Sequence, residues 1–140
     1  MTKKLTIPIT CLFLCVNMLT QAQNSTVDVQ VTGFELKKST KIFVSVFSKE
    51  DFLETSIQTK SISASGSNVH VEFELPPGEY AISTYHDVNN NGTLDRRFYG
   101  KPKEPYGFSQ NIKPFGKPSF DKCKFSLDGS SKKISIELIN

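Results

Sequence analysis

Short runs of alternating apolar and polar side chains recur along this chain. Val27-Asp28-Val29-Gln30-Val31 places three valines on one face, the signature of a half-buried strand. Lys41 to Phe47 places Ile42, Val44 and Val46 on one face and Phe43 and Phe47 on the other, which predicts a central strand covered on both sides. Val69 to Leu75 is the cleanest alternation, with Val69, Val71, Phe73 and Leu75 inward and His70, Glu72 and Glu74 outward. Pro76-Pro77-Gly78 reads as a tight turn into a strand over Glu79 to His86, so residues 69–86 are expected to form a hairpin. Cys123, Phe125 and Leu127 alternate with Lys122, Lys124 and Ser126. A turn at Asp128 to Ser131 then leads to a last strand over Ile134 to Leu138.

The remaining stretches are weaker. Lys37-Lys38-Ser39-Thr40 reads as a turn. Ser48 before Lys49-Glu50-Asp51 is an N-cap candidate and predicts a short helix or structured loop over Lys49 to Thr59. Ser61 to Ser67 reads as a weak strand followed by a turn. With no sustained helical period, the expected fold is all-β: an antiparallel β-sandwich of immunoglobulin-like or prealbumin-like type. It would have about seven strands and a long structured loop after the central hairpin.

The N-terminus sets the domain organisation. Lys3-Lys4, an apolar run from Leu5 to Leu19, and Thr20-Gln21-Ala22 have the three-part layout of a secretory signal peptide. The expectation is a signal at 1–22 and a single domain at 23–140, exported to the periplasm or secreted, with no stable membrane span after cleavage. Neither Cys11 nor Cys15 has the small preceding residues of a lipid-attachment site, which leaves a soluble mature chain. Net charge is +3 over 140 residues, but losing Lys3 and Lys4 leaves 15 basic against 14 acidic residues, a balance that excludes nucleic acid as an expected partner. Only Cys123 remains, so no intrachain disulfide is possible, and it reads as a small buried hydrophobe.

The candidate chemistry lies between Leu75 and Asn111. Asp87-Val88-Asn89-Asn90-Asn91-Gly92-Thr93-Leu94-Asp95 has the opening spacing of an EF-hand calcium loop. Asp87, Asn89 and Asn91 carry oxygen at the first, third and fifth positions, and Gly92 stands at the sharp sixth. Thr93 offers a backbone carbonyl, and Asp95 falls ninth. The twelfth position, where a bidentate Glu belongs, is Phe98, so a carboxylate must come from elsewhere, with Glu104 the nearest downstream. Few charged ligands imply weak calcium binding, in roughly the 10⁻⁴–10⁻³ M range of extracellular modules. Asn, Asp and Gly also make metal-free turns, and that alternative stays open. His86 is a poor calcium ligand and is expected to pack or bond the loop, and the lack of soft ligands argues against zinc. Beyond the loop, Tyr99, Tyr106 and Phe108 stand among glycines and prolines, either stacking on a carbohydrate or peptide ligand or capping the sandwich end.

At these residues the chain resembles an exported bacterial family catalogued as domain of unknown function 2141. The resemblance is carried by Pro77-Gly78-Glu79-Tyr80-Ala81, His86-Asp87, Asn89, Asn91-Gly92 and Leu94-Asp95, then Gly100, Pro102, Glu104, Tyr106-Gly107-Phe108-Ser109 and Asn111. It implies an exported prealbumin-like β-sandwich with no established activity, in which Glu104 accompanies the acidic loop. No G-x-S-x-G, H-E-x-x-H or Cys–His signature is present, and although Asp87, Asp95 and Glu104 offer a carboxylate pair, nothing else builds a sugar-cleaving cleft. The expected role is a non-enzymatic binding module with a calcium-stabilised loop, meeting an envelope protein or a carbohydrate or peptide ligand. The alternative is an accessory domain whose loop is a metal-free turn.

Overall fold

The computed structural model describes residues 23–36 and 40–140. The expected signal at 1–22 and the turn residues 37–39 lie outside the described residues. Eight strands form two sheets: β1 (Ser25–Thr32), β2 (Lys41–Phe47), β3 (Gln58–Ser63), β4 (Asn68–Leu75), β5 (Gly78–Asp87), β6 (Tyr106–Phe108), β7 (Phe125–Leu127) and β8 (Lys132–Glu137). One sheet has the order β4-β1-β8. The other runs β3-β2-β5-β6, with β7 also paired to β5. The all-β sandwich is borne out, with one more strand than expected.

The period-2 pattern explains the layering. Val27, Val29 and Val31 of β1, Val69 to Leu75 at every second position of β4, and Ile134 and Ile136 of β8 supply one wall of the core. Ile42, Val44 and Val46 of β2 and Tyr80 and Ile82 of β5 supply the other. Burying each of these side chains contributes about 1.5–3 kcal/mol, which is what locks the register. As expected, β2 is central. Its other face presents Phe43, stacked on Tyr85 at a centroid distance of 5.0 Å, and Phe47. Phe47 and Ala81 join a second buried cluster with Phe52, Tyr106, Phe108, Phe120 and Cys123, so the five-stranded sheet is covered on both faces.

Three local expectations are corrected, and one left between two readings is resolved. Residues 69–86 do not form a hairpin: β4 pairs with β1 and β5 with β2, so the chain crosses between sheets at Pro76-Pro77. The inward residues of the two strands meet across the core instead of side by side, and the Tyr80 hydroxyl donates to the Pro76 carbonyl at 2.9 Å to fix the corner. The sandwich is not wholly antiparallel, because β1 and β8 run parallel. Of the two readings of Lys49 to Thr59, the structured loop is the one found: the Glu54 and Thr55 amides both donate to the Asp51 carbonyl, Leu53 takes φ 63°, and β3 has begun by Gln58. Cys123 belongs to a helical turn, α1 (Phe120–Cys123), which buries Phe120 and Cys123, so the strand starts only at Phe125.

The two open sides of the sandwich are closed differently. At one, Lys60 Nζ donates to the Glu72 carbonyl at 2.6 Å and Gln58 Nε2 to the Glu74 carbonyl at 3.2 Å, bridging β3 to β4 through side chains. At the other, the chain passes beyond β8 and Ile139 exchanges two backbone hydrogen bonds with Tyr106, at 2.9 and 2.8 Å. Gly33 fits here because its φ is 79° and a Cβ would stand 2.9 Å from the Leu138 carbonyl.

Candidate functional site

β5 ends at Asp87 and releases an excursion that returns at Tyr106. Its inner half is the acidic loop. Asp87 is buried, and its two carboxylate oxygens accept the Asn91 amide at 3.1 Å and the Gly92 amide at 2.8 Å. Gly92 has φ 79° and Asn90 φ 60°, the left-handed conformations this sharp turn requires. Glu104, also buried, returns from the far end of the excursion. Its Oε1 accepts the Val88 amide at 2.9 Å and its Oε2 the Asp95 amide at 3.2 Å. One carboxylate therefore ties the beginning of the loop to its end.

The remaining loop oxygens are also engaged. Asn89 Nδ2 and Asn91 Nδ2 both donate to Asp95 Oδ2, at 2.6 and 3.2 Å, so these three side chains converge. Asn91 Oδ1 accepts the Thr93 amide at 2.9 Å, and Asn89 Oδ1 accepts the Asn91 amide at 3.1 Å. The six residues singled out by spacing, Asp87, Asn89, Asn91, Thr93, Asp95 and Glu104, thus belong to one hydrogen-bonded unit. Among the described residues, no three His, Cys, Asp or Glu side chains come together as a metal-holding group.

His86 packs beneath the loop, 1 % exposed, with its ring edge-on to Phe34 and Nε2 2.7 Å from the Thr40 hydroxyl. Burial pushes its pKa down, against an upward pull from Glu104 and Asp87. Burial raises the Tyr85 phenol, as do the same two carboxylates, and its hydroxyl donates to the Gly92 carbonyl at 3.3 Å. His70 is exposed as expected and pairs with Asp28 at 3.0 Å.

The outer half of the excursion is a second hairpin-like turn. The Lys103 amide donates to the Asp95 carbonyl and the Arg97 amide to the Lys101 carbonyl, each at 2.8 Å, and Arg96 bridges to Pro102. Leu94, Arg96, Tyr99 and Lys101 thereby become one wall of a cleft of about 1110 Å³. Lys113 to Pro118 also line it, as do Tyr106 and Phe108 of β6. Of the three candidate ligand residues, Tyr99 is 60 % exposed at the cleft, whereas Tyr106 and Phe108 are each 8 % exposed and pack on each other at 5.9 Å. Sequence reasoning missed Arg96, Lys101, Lys113, Phe115 and Lys117. The spacing Lys113-Pro114-Phe115-Gly116-Lys117, a ring flanked by two cations in a proline–glycine turn, was the available signal.

The residues after the cleft explain much of the motif string. Ser109 is fully buried; its hydroxyl accepts the Ile82 amide at 2.9 Å and donates to the Cys123 carbonyl, joining β5 to α1. Asn111 donates to the Ser135 carbonyl at 3.0 Å and accepts the Glu137 amide at 2.8 Å, extending β8 with a side chain. A Cβ at Gly107 would stand 2.7 Å from the Ile136 side chain. These residues brace the sandwich.

Fold and loop together define a β-sandwich module with a braced acidic loop beside an open cleft. The model of a family of uncharacterized proteins conserved in bacteria, domain of unknown function 2141, matches residues 29–135, and the chain belongs to that family. No curated protein and no solved structure matches the chain. Among the described residues no helix is long and apolar enough to cross a membrane.

Proposed function

We propose that this chain is an exported, non-enzymatic binding module whose cleft takes a ligand and whose acidic loop, stiffened by calcium, holds one cleft wall in place. The observation that carries this reading is the continuity of the excursion. Glu104 fixes the amides of Val88 and Asp95, and the residues immediately after Asp95 form the wall. Calcium suits the donor set because Asn89, Asn91 and Asp95 already converge. A half-turn of each amide would bring its oxygen to that point, at the expense of the bonds Asn89 Oδ1 and Asn91 Oδ1 make to the Asn91 and Thr93 amides. Asp87, Asn89, Asn91, the Thr93 carbonyl, Asp95 and Glu104 would hold the ion. Two carboxylates already occupied by backbone amides favour weak affinity.

The accessory reading, with a metal-free turn, draws support from the same bonds, since Asp87 and Glu104 have partners without an ion. Thermal unfolding separates the two. At 10 mM calcium, dissociation constants of about 10⁻³–10⁻⁴ M correspond to roughly 1.4–2.7 kcal/mol of added stability. The gain should vanish in Asp95→Ala and be smaller with magnesium, which holds its water more tightly. An unchanged melting temperature at 10 mM calcium would remove the ion from the proposal and favour the accessory reading.

A further inference from the structure

Charge is distributed unevenly around the cleft. Segment 96–117 carries six basic residues and one acidic residue, Glu104, whose carboxylate is buried and turned to the loop amides. The rest of 23–140 has nine basic and thirteen acidic residues, so the positive charge of this near-neutral domain is concentrated in one segment. Arg96 and Lys101 line the cleft from one chain segment and Lys113 and Lys117 from another, and among the described residues no Asp or Glu lines it. Arg96 is held in place by donating to the Gly100 carbonyl at 3.0 Å. Lys117 pairs with Glu54, which does not line the cleft, in an exposed 3.9 Å contact of the kind that contributes little.

Two rings border the same space. Tyr99 is 60 % exposed, and Phe115, between Lys113 and Lys117, is fully exposed. Exposed rings beside cations form a surface on which the apolar face of a ligand can stack while its anionic groups are paired. Resting on the proposed binding role of the cleft, we infer that its ligand is an acidic oligosaccharide. The sugar rings would stack on Tyr99 and Phe115, and carboxylates along the chain would be met by Arg96, Lys101, Lys113 and Lys117.

Three features favour this class. A volume of about 1110 Å³ lies above the 300–1,000 Å³ usual for single small molecules, which suits an oligomer. Cations from two chain segments suit charges repeated along a chain better than one point anion. A peptide adding as a strand finds the route obstructed, because Tyr106 at the edge strand β6 already exchanges both its backbone bonds with Ile139.

The test is titration of the protein, observed by amide NMR shifts and calorimetry without added calcium. The probes are tetragalacturonate, its methyl ester, hexaglutamate and an oligothymidylate. Tetragalacturonate should shift the amides of the cleft, bind at least tenfold more tightly than its neutral ester, and weaken as salt rises. Lys101→Ala with Lys113→Ala should cost at least tenfold, and Phe115→Ala several-fold. All three side chains are exposed, so unchanged melting temperatures would show the variants folded. Equal binding of acid and ester at the cleft would overturn the acidic class and leave the binding module standing. Tighter binding of hexaglutamate or the oligothymidylate would overturn the sugar class. No cleft shift with any of the four probes would count against both this inference and the cleft's binding role.

Discussion

Glu104→Ala is the most informative single change, because one side chain spans the loop. It removes the acceptors of the Val88 and Asp95 amides, at 2.9 and 3.2 Å, and leaves a cavity in a site only 6 % exposed. Hydrogen bonds to a charged group contribute about 1.5–3 kcal/mol each. Val88 is 38 % exposed, so water can reach its amide and recover part of that loss. A net destabilisation of about 2–4 kcal/mol follows, less if the loop opens by itself and the core stays folded. For a domain of this size that is roughly a 10 °C fall in melting temperature. Differential scanning calorimetry gives the global effect, and hydrogen exchange at the Val88 and Asp95 amides gives the local one. Those two amides should lose protection while Val29 and Val44, in the central strands β1 and β2, keep theirs. Glu104→Gln should fall between, since one carboxamide oxygen can still accept while its NH₂ faces the other amide. Unchanged melting and unchanged protection in Glu104→Ala would refute the bracing argument.

Further outcomes follow from the buried groups. His86 is held neutral, with its pKa below the usual 6.5, so the unfolded chain binds the extra proton first as pH falls. Stability is therefore full above pH 6.5 and declines below it toward the folded pKa. In a His70→Gln background, which removes the other histidine, His86→Phe should flatten urea midpoints across that window, and an unchanged slope would exclude His86 as its source. The Cys123 thiol is buried and pushed up to about 11, so a thiol reagent at pH 8 should label it only at the rate of unfolding. Fast labelling of the native protein would contradict its burial. Gly33→Ala should cost about 1–3 kcal/mol, because φ 79° and the nearby Leu138 backbone both oppose a Cβ; a neutral result by chemical denaturation would mean that corner yields.

The legibility of this chain divides along physical lines. Strands with strict alternation, such as β1, β4 and β8, were readable because a side-chain period of two reports burial directly. The loop ligand set from Asp87 to Asp95 was readable because turn chemistry is local, and the family resemblance singled out Glu104. Partner choice was not local. Pro76-Pro77-Gly78 looks the same whether the chain doubles back in one sheet or crosses to the other, and only the packing of Phe73 and Leu75 against β2 and β5 selects the crossing. Likewise the parallel pairing of β8 with β1 depends on where a chain lands after the 99 residues between Thr32 and Lys132.

For the acidic loop, the sequence by itself determined which oxygens stand near one another, since a tight turn brings side chains at positions one, three, five and nine together. Only the tertiary structure decided what those oxygens hold. The burial of Asp87 and Glu104 turns them onto backbone amides, because a buried carboxylate must find donors close at hand. The cleft belongs wholly to the tertiary level. Arg96 and Lys113 both read as solvated surface residues, and they share a cleft only because the chain segments before and after β6 fold to line the same space.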